Sequence, residues 1–136
     1  METKDAARDT FGMFTTTDPG PGPSLMGAHT LLGNDVYNHD GEDLGDIKEL
    51  MIDMASGKVA YAVLSFGGWL GMGDKLFAVP WAALRLDTVN KRFTLSVHKA
   101  ALKEAPGFSK YHWPKMSDRA WATGVHKFYG TPYAVD

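Results

Sequence analysis

The chain has 136 residues, no cysteine, a formal net charge of −2 and 44% hydrophobic residues. The absence of cysteine excludes disulfides, thiolate catalysis and zinc–thiolate sites. The slightly acidic balance argues against a nucleic-acid binder that relies on phosphate neutralisation. The longest uncharged run that could suggest a membrane span, residues 59–73, is shorter than the roughly 20 apolar residues of a membrane-spanning helix. We also expect no secretion signal. We therefore expect one small cytoplasmic domain with no transmembrane segment and no nucleic-acid partner.

Residues 1–27 are predicted to form a disordered leader. Residues 19–23 alternate proline with glycine, which removes backbone donors and weakens any helix or strand. Two aromatic residues in a polar segment leave a second interpretation open. In that interpretation the region around Phe11, Met13 and Phe14 is a docking peptide.

Short β-type runs separated by turn residues follow the leader, which is typical of a small barrel or sandwich. The Asp40-Gly41 dipeptide predicts a hairpin turn. In the second run Ile47 is out of phase with Leu50, so we expect a bulge or sharp bend between them. The third run has apolar residues on both faces, which predicts a strand covered on both sides, and Pro80 places the end of the fourth run at an edge or bulge. The predicted strands are residues 36–37, 44–54, 59–66, 76–81 and 93–97.

The last third of the chain is predicted to be helical. One helix covers Lys99 to Ala105 and ends at the following Pro-Gly pair. A second helix runs from a cap at Ser117 to about Tyr129, with Trp121, Val125 and Phe128 in one apolar stripe. We expect that stripe to dock on its own domain, and a partner-binding helix is the alternative.

Motifs for catalysis and for cofactor or metal binding fail on individual residues. The spacing of Gly68 and Gly73 resembles a phosphate-binding loop, but Asp74 stands where that loop requires lysine, and a strand follows instead of a helix. The five histidines lack the spacing of a metal site, and no serine lies in a nucleophile motif. We therefore predict no enzymatic activity, no catalytic residue, no cofactor and no metal.

The first hairpin is rich in carboxylates and leaves two interpretations. An EF-hand calcium loop fails because Val36 and Ile47 would occupy ligand positions. A solvated acidic hairpin that resists edge pairing is expected, and a weak cation or small-ligand site at the barrel mouth is the alternative. The carboxylates are Asp35, Asp40, Glu42, Asp43 and Asp46.

From about His29 to Ala105 an ordered series of short motifs resembles the PRC-barrel family. That family includes the cytoplasmic domain of the photosynthetic reaction-centre H subunit and the second domain of the ribosome maturation factor RimM. The motifs are the Gly33-Asn34-Asp35-Val36 segment, the Asp40-Gly41-Glu42 turn with Leu44-Gly45, Ile47 and Leu50 through Ile52-Asp53, Gly57-Lys58-Val59-Ala60-Tyr61, Leu64-Ser65-Phe66-Gly67-Gly68, and Ala78-Val79-Pro80-Trp81. The extension after Pro106 resembles the tail of stand-alone bacterial members.

The resemblance implies a mainly β fold, namely a small and strongly bent barrel of about five to six strands with C-terminal helices packed on it. The expected organisation is a leader at 1–27, a barrel at 28–105 and a helical extension at 106–136. It also implies a non-enzymatic protein-binding or assembly module, and a homo-oligomer is one form that we consider for it. An accessory subunit of a photosynthetic or other membrane electron-transfer complex, peripheral to the membrane, is the alternative.

The candidate contact surface is the glycine-rich connection between the third and fourth strands. Large apolar residues stand on this connection, and if exposed they would form a patch typical of an interface. The other interpretation is that Trp69 and Leu70 fold back over the barrel end or under the C-terminal helix. The candidate partner-binding residues are Phe66, Trp69, Leu70, Met72 and Lys75.

Overall fold

The computed structural model describes residues 9–15, 20–66 and 75–133. In these ranges seven strands form one sheet in the order β5-β6-β1-β2-β3-β4-β7, with β1 and β6 parallel and the other neighbours antiparallel. The mainly β fold is thus confirmed, with more strands than expected. The elements are α1 (Ala28–Leu31), β1 (Asp35–Tyr37), β2 (Asp43–Ile52), β3 (Val59–Ser65), β4 (Lys75–Pro80), β5 (Leu84–Asp87), β6 (Arg92–Leu95), β7 (Phe108–Ser109) and α2 (Arg119–Tyr129), with 3₁₀ helices at Trp81–Ala83 and Lys99–Glu104.

The β1–β2 hairpin forms where the Asp40-Gly41 turn predicts it, and Asn38 holds its turn. The side-chain oxygen of Asn38 accepts hydrogen bonds from the backbone N–H groups of Asp40 and Glu42, both at 3.0 Å. Its amide nitrogen donates to the Val97 carbonyl at 3.2 Å, which ties the turn to the segment after β6. Gly41 supplies the positive φ of 79° that the turn requires.

Strand β2 is sharply bent, as the phase of its apolar residues predicts. Its pairing with β3 changes register between Ile47 and Glu49, which is where the phase of Ile47 against Leu50 predicts a bulge. Its pairing with β1 skips Leu44, so Leu44 and Ile47 are both fully buried although they are three residues apart. Gly45 has a φ of 122°, and a Cβ at this position would lie 2.0 Å from the Ser65 carbonyl oxygen. The bend therefore depends on the close approach of the β2 and β3 backbones at a glycine.

Strand β3 is covered on both faces, as its double-sided apolar pattern predicts. Ala62 and Leu64 belong to the main core, whereas Tyr61 belongs to a second cluster with Ala78 of β4 and Val125 of α2. The apolar stripe of α2 therefore docks on its own sheet, which confirms that expectation. Most of this stripe covers one face of the sheet, and Phe128 and Tyr129 at the end of the helix also pack against the main core.

Two helix predictions need correction. Lys99–Glu104 is a 3₁₀ helix and not an α-helix, because its N–H groups bind carbonyls three residues earlier. The Ala105 N–H, for example, binds the Leu102 carbonyl at 3.1 Å. Pro106 prevents the helix from extending further. Helix α2 begins after Asp118 and not Ser117, because the Asp118 carboxylate accepts the Ala120 N–H at 3.2 Å. Strands β5 and β7 and helix α1 have no counterpart among the predicted elements.

The disorder predicted for the leader is corrected for residues 9–15. Phe14 is only 1% exposed, and the Asp9 carboxylate accepts the backbone N–H groups of Met13 and Phe14 and lies 3.4 Å from the Lys91 ammonium group. The sulfur of Met13 contacts the Gly27 N–H at 3.1 Å. This segment is packed because an aromatic ring and a buried carboxylate both find partners. Residues 1–8 and 16–19 lie outside the described part.

Candidate functional site

The predicted contact surface lies mainly outside the described residues. Trp69, Leu70 and Met72 belong to residues 67–74, so their role stays a prediction. Phe66 needs correction as a contact residue, because it is 1% exposed and its ring lies 4.3 Å from that of Phe77 in the core. Lys75 is partly buried, with its ammonium group 5.5 Å above the Phe77 ring.

A different apolar site lies between the end of the β2–β3 hairpin and helix α2, and we call it the methionine groove. It has a volume of about 670 Å³. Its apolar lining includes Met51, Ile52, Met54, Ala60, Met116 and Tyr133. Exposure is greatest on the hairpin side, where Met54 is 88% and Ile52 47% exposed.

The groove exists because the helical layer is incomplete. Helix α2 packs on β3 and β4 through Val125, which meets Tyr61 and Ala78. Met51 of β2 stands opposite Tyr61 in the register and is only partly buried. The β2 side of this face thus lies beside α2 without a second helix over it in the described ranges, and the hairpin turn leaves large apolar side chains in contact with water.

Tyr61 and His126 form the floor of the groove and belong to a chain of polar contacts. The Tyr61 hydroxyl lies 3.2 Å from Nε2 of His126, and Nδ1 of His126 lies 2.9 Å from the Thr131 hydroxyl. The Tyr61 ring also makes edge contacts with Trp121 at 5.3 Å and with His126 at 5.6 Å. These contacts join β3 to the last turn of α2 and to the segment that follows it.

Burial sets the ionisation of this polar chain. Burial lowers the pKa of His126. A hydrogen bond to the Pro132 carbonyl raises this pKa by less, so the neutral imidazole is favoured. Burial also raises the pKa of Tyr61, and the nearby Tyr133 phenol adds to that rise. A neutral imidazole beside an un-ionised phenol makes a rigid floor in which each ring nitrogen has a hydrogen-bonding neighbour.

Among the described residues, Asp53 is the only carboxylate that lines the groove, and it lies at the start of the hairpin turn. Hydrogen bonds from the Ala55 N–H at 3.1 Å and the Ser56 hydroxyl at 2.9 Å lower the pKa of Asp53, so this carboxylate is charged at neutral pH. The lining therefore combines flexible thioethers and aromatic rings with one negative charge. Such a surface can bind apolar side chains and one cation.

The carboxylates of the β1–β2 hairpin do not converge. Asp35 is 4% exposed, and each of the others has its own neighbour. Those contacts join Asp40 to His98 at 3.7 Å, Glu42 to Asn38 at 2.7 Å, the Asp43 carboxylate to the Gly45 N–H at 2.9 Å, and Asp46 to Lys48 at 3.1 Å. Within residues 9–15, 20–66 and 75–133, no three histidine, aspartate or glutamate side chains form a group suited to a metal ion. The described geometry gives the cation-site alternative no support.

The sequence analysis did not identify the methionine groove. Its residues come from a strand end, a turn, a linker and a helix, which are far apart in the chain. One signal was available in Met54, because a long apolar side chain in an Asp-Met-Ala-Ser-Gly turn cannot pack within that turn. Only the tertiary structure places it in the same groove as Met116.

The PRC-barrel domain family matches residues 23–102, which is more than half of the chain. A search of curated proteins found no match. None of the helices in the described residues is long and apolar enough to cross a membrane.

Proposed function

Because the chain belongs to the PRC-barrel family, we propose that it is a protein-docking module with no chemistry of its own, and that its docking site is the methionine groove. The observation that carries the proposal is the exposed apolar lining, above all Met54 at 88% and Ile52 at 47% exposure beside a cavity of about 670 Å³. Burying such side chains against a partner is favourable at about 25 cal/mol per Å² of apolar surface removed from water.

The partner segment that fits best is an amphipathic helix. The groove lies beside α2 over the β2 side of the sheet, and a helix placed there would extend the same layer. Methionine side chains adapt to the apolar residues of such a helix, which recur every three or four positions. Asp53 is the charged group of the lining, so a lysine or arginine at the edge of the partner helix would complement it.

Affinity capture with a pair of matched variants tests this function. The bait is the full chain, used with extract of the cells that make it, and the variants are Met54→Gln and Val89→Gln. Met54 and Val89 are 88% and 87% exposed, but Val89 lies in the β5–β6 turn and does not line the groove. We expect at least one protein that wild type and Val89→Gln retain and that Met54→Gln loses, and that protein should contain a basic amphipathic helix.

Two results would contradict the proposal. In one, every captured protein binds Met54→Gln as well as wild type. In the other, the protein lost by Met54→Gln is lost equally by Val89→Gln. Both variants change exposed side chains, so their melting temperatures should match that of wild type, and this check excludes a folding defect.

The finer predictions about cellular role can be tested separately. A cytoplasmic location, homo-oligomerisation through the region of Trp69, and an accessory role in a membrane electron-transfer complex all stay predictions. Cell fractionation tests the last of these, because a peripheral subunit should sediment with membranes and be released by salt. Light scattering on wild type and Trp69→Ala tests the oligomer.

A further inference from the structure

The sheet ends in two edge strands, β7 and β5, and they differ in how open they are to pairing. Strand β7 has only two residues, and a very short edge strand is a poor template for another strand. Strand β5 pairs with β6 on one side, and within the described residues no strand lies on its other side. Natural proteins commonly block such an edge with proline, lysine or an inward-facing charge, and β5 contains none of these. The outer side of β5 is therefore open to a further strand.

Leu86 presents the free groups of this edge. The Leu84 N–H binds the Trp81 carbonyl and not a group of β6. Because backbone groups alternate in direction along an antiparallel strand, the N–H and C=O of Leu86 point to the same outer side. The Leu86 side chain is 36% exposed, although it shares a face of the strand with Leu84, which is only 6% exposed. Backbone and side chain of Leu86 thus both face water at the edge of the sheet.

The charges of β5 are symmetric about Leu86. Arg85 precedes it and Asp87 follows it, so both charged side chains lie on the opposite face of the strand. When two copies of β5 pair antiparallel with Leu86 opposite Leu86, each Arg85 stands opposite Asp87 of the other copy. A pair centred on Arg85 or on Asp87 would instead place like charges opposite each other, which is unfavourable. The charge pattern therefore selects one register for pairing between two copies.

The same register provides neighbours for side chains that are exposed in the single chain. The Arg85 side chain is exposed, and its guanidinium donates to the Ala82 carbonyl at 3.3 Å, which leaves most of its donors available. Asp87 lies 3.6 Å from Arg92 of β6, so pairing would place its carboxylate between two arginines. Val89, which is 87% exposed in the β5–β6 turn, would lie near the 3₁₀ helix of the second copy.

We propose that β5 pairs antiparallel with β5 of a second copy of this chain, which gives a dimer with two-fold symmetry and one continuous sheet. The interface is isologous, with Leu86 on the symmetry axis and Arg85 facing Asp87 twice. Four-residue strands bury less surface than stable complexes need, so the dimer dissociates on dilution. No residue of β5 lines the methionine groove, so dimer formation is independent of docking there.

Analytical ultracentrifugation of the full chain over a range of concentrations tests the dimer. We expect wild type to shift reversibly from monomer to dimer as the concentration rises. Arg85→Glu should weaken this association by about 10-fold or more, because two opposite-charge pairs become two like-charge pairs. Arg85→Lys keeps the charge and should associate like wild type. Arg119→Glu changes an exposed arginine of α2 and is the matched control, which should also associate like wild type.

Cross-linking at single cysteines tests the register, and the chain has no cysteine of its own to interfere. In Leu86→Cys a short bismaleimide should join two copies, because directly opposite side chains lie about 5 Å apart. In Val89→Cys the two thiols would lie roughly 20 Å apart, since each is three residues from the axis at about 3.3 Å per residue. Val89 is more exposed than Leu86, so a lower yield at Val89 does not come from poorer access to the reagent.

Three results would overturn the proposal. In the first, wild type stays monomeric at the highest concentration that remains soluble. In the second, Val89→Cys cross-links as fast as Leu86→Cys, which would indicate random collision. In the third, association is unchanged in Arg85→Glu and lost in Trp69→Ala, which would place the contact on another surface. Arg85 is exposed, so its variants stay informative even if Leu86→Cys folds poorly.

Discussion

At the scale of one residue, His126 should make the stability of the fold depend on pH. Burial lowers its pKa below the usual 6.5, so the unfolded chain takes up a proton before the folded one does. The stability linked to neutral His126 is fully present above about pH 6.5 and is lost as the pH falls through and below that value. The protonated ring would also have to rearrange its contact with the Tyr61 hydroxyl.

We therefore expect urea unfolding to give a larger free energy of unfolding at pH 7.5 than at pH 5.5. His126→Gln removes the titrating ring, so it should reduce the difference in free energy of unfolding between the two pH values. His112→Gln serves as the control, because it removes an exposed histidine. The account is contradicted if His112→Gln flattens the profile as much as His126→Gln does, or if neither variant does.

The bend of β2 supplies a prediction at the scale of the element. At Gly45 an added Cβ meets the Ser65 carbonyl oxygen at 2.0 Å, and the backbone φ is 122°. Gly45→Ala should therefore destabilise the fold by more than about 2 kcal/mol, since strain and a steric clash add. Denaturant unfolding measures the difference.

Gly41→Ala is the matched control for this bend. Gly41 also has a positive φ, of 79°, but a Cβ there meets nothing within 4 Å. It should cost about 1–2 kcal/mol from backbone conformation alone. Equal costs for the two variants would mean that the close approach of β2 to β3 does not determine the bend.

The start of α2 gives a second element-scale prediction. Asp118→Ala should destabilise the protein by about 1 kcal/mol, because the Ala120 N–H loses its acceptor at the helix start. Ser117→Ala should change stability little, although the sequence alone favours Ser117 as the cap. Thermal unfolding of the two variants distinguishes these positions, and a larger loss for Ser117→Ala would contradict the observed cap.

The elements differ in how far the sequence predicts them. The phase of Ile47 against Leu50 predicts the bend of β2, because Ile47 in the core and Leu50 packed against that core require a register change between them. Strand β5 escapes prediction because no turn-forming residue stands between Pro80 and Leu84 to mark a new strand, although its alternation opposite β6 is visible once the pairing is known. Phe14 is misassigned because its burial depends on long-range packing that local composition does not report.

At the scale of the whole molecule, the layers of the fold explain why a groove exists at all. One face of the sheet encloses the main core, and the other carries the C-terminal helix α2 over β3 and β4. The uncovered side over β2 holds exposed apolar residues at Ile52 and Met54. No local sequence pattern predicts the groove, because it forms on the part of the sheet face that α2 does not cover.

The most direct test of the docking function follows the methionine methyl groups by NMR. The chain is labelled at the methionine methyls and titrated with the helical segment of a partner that capture identifies. We expect the signals of Met51, Met54 and Met116 to shift, whereas Met26, packed against the main core, stays unchanged. Binding that leaves all three groove methyls unchanged would contradict the account.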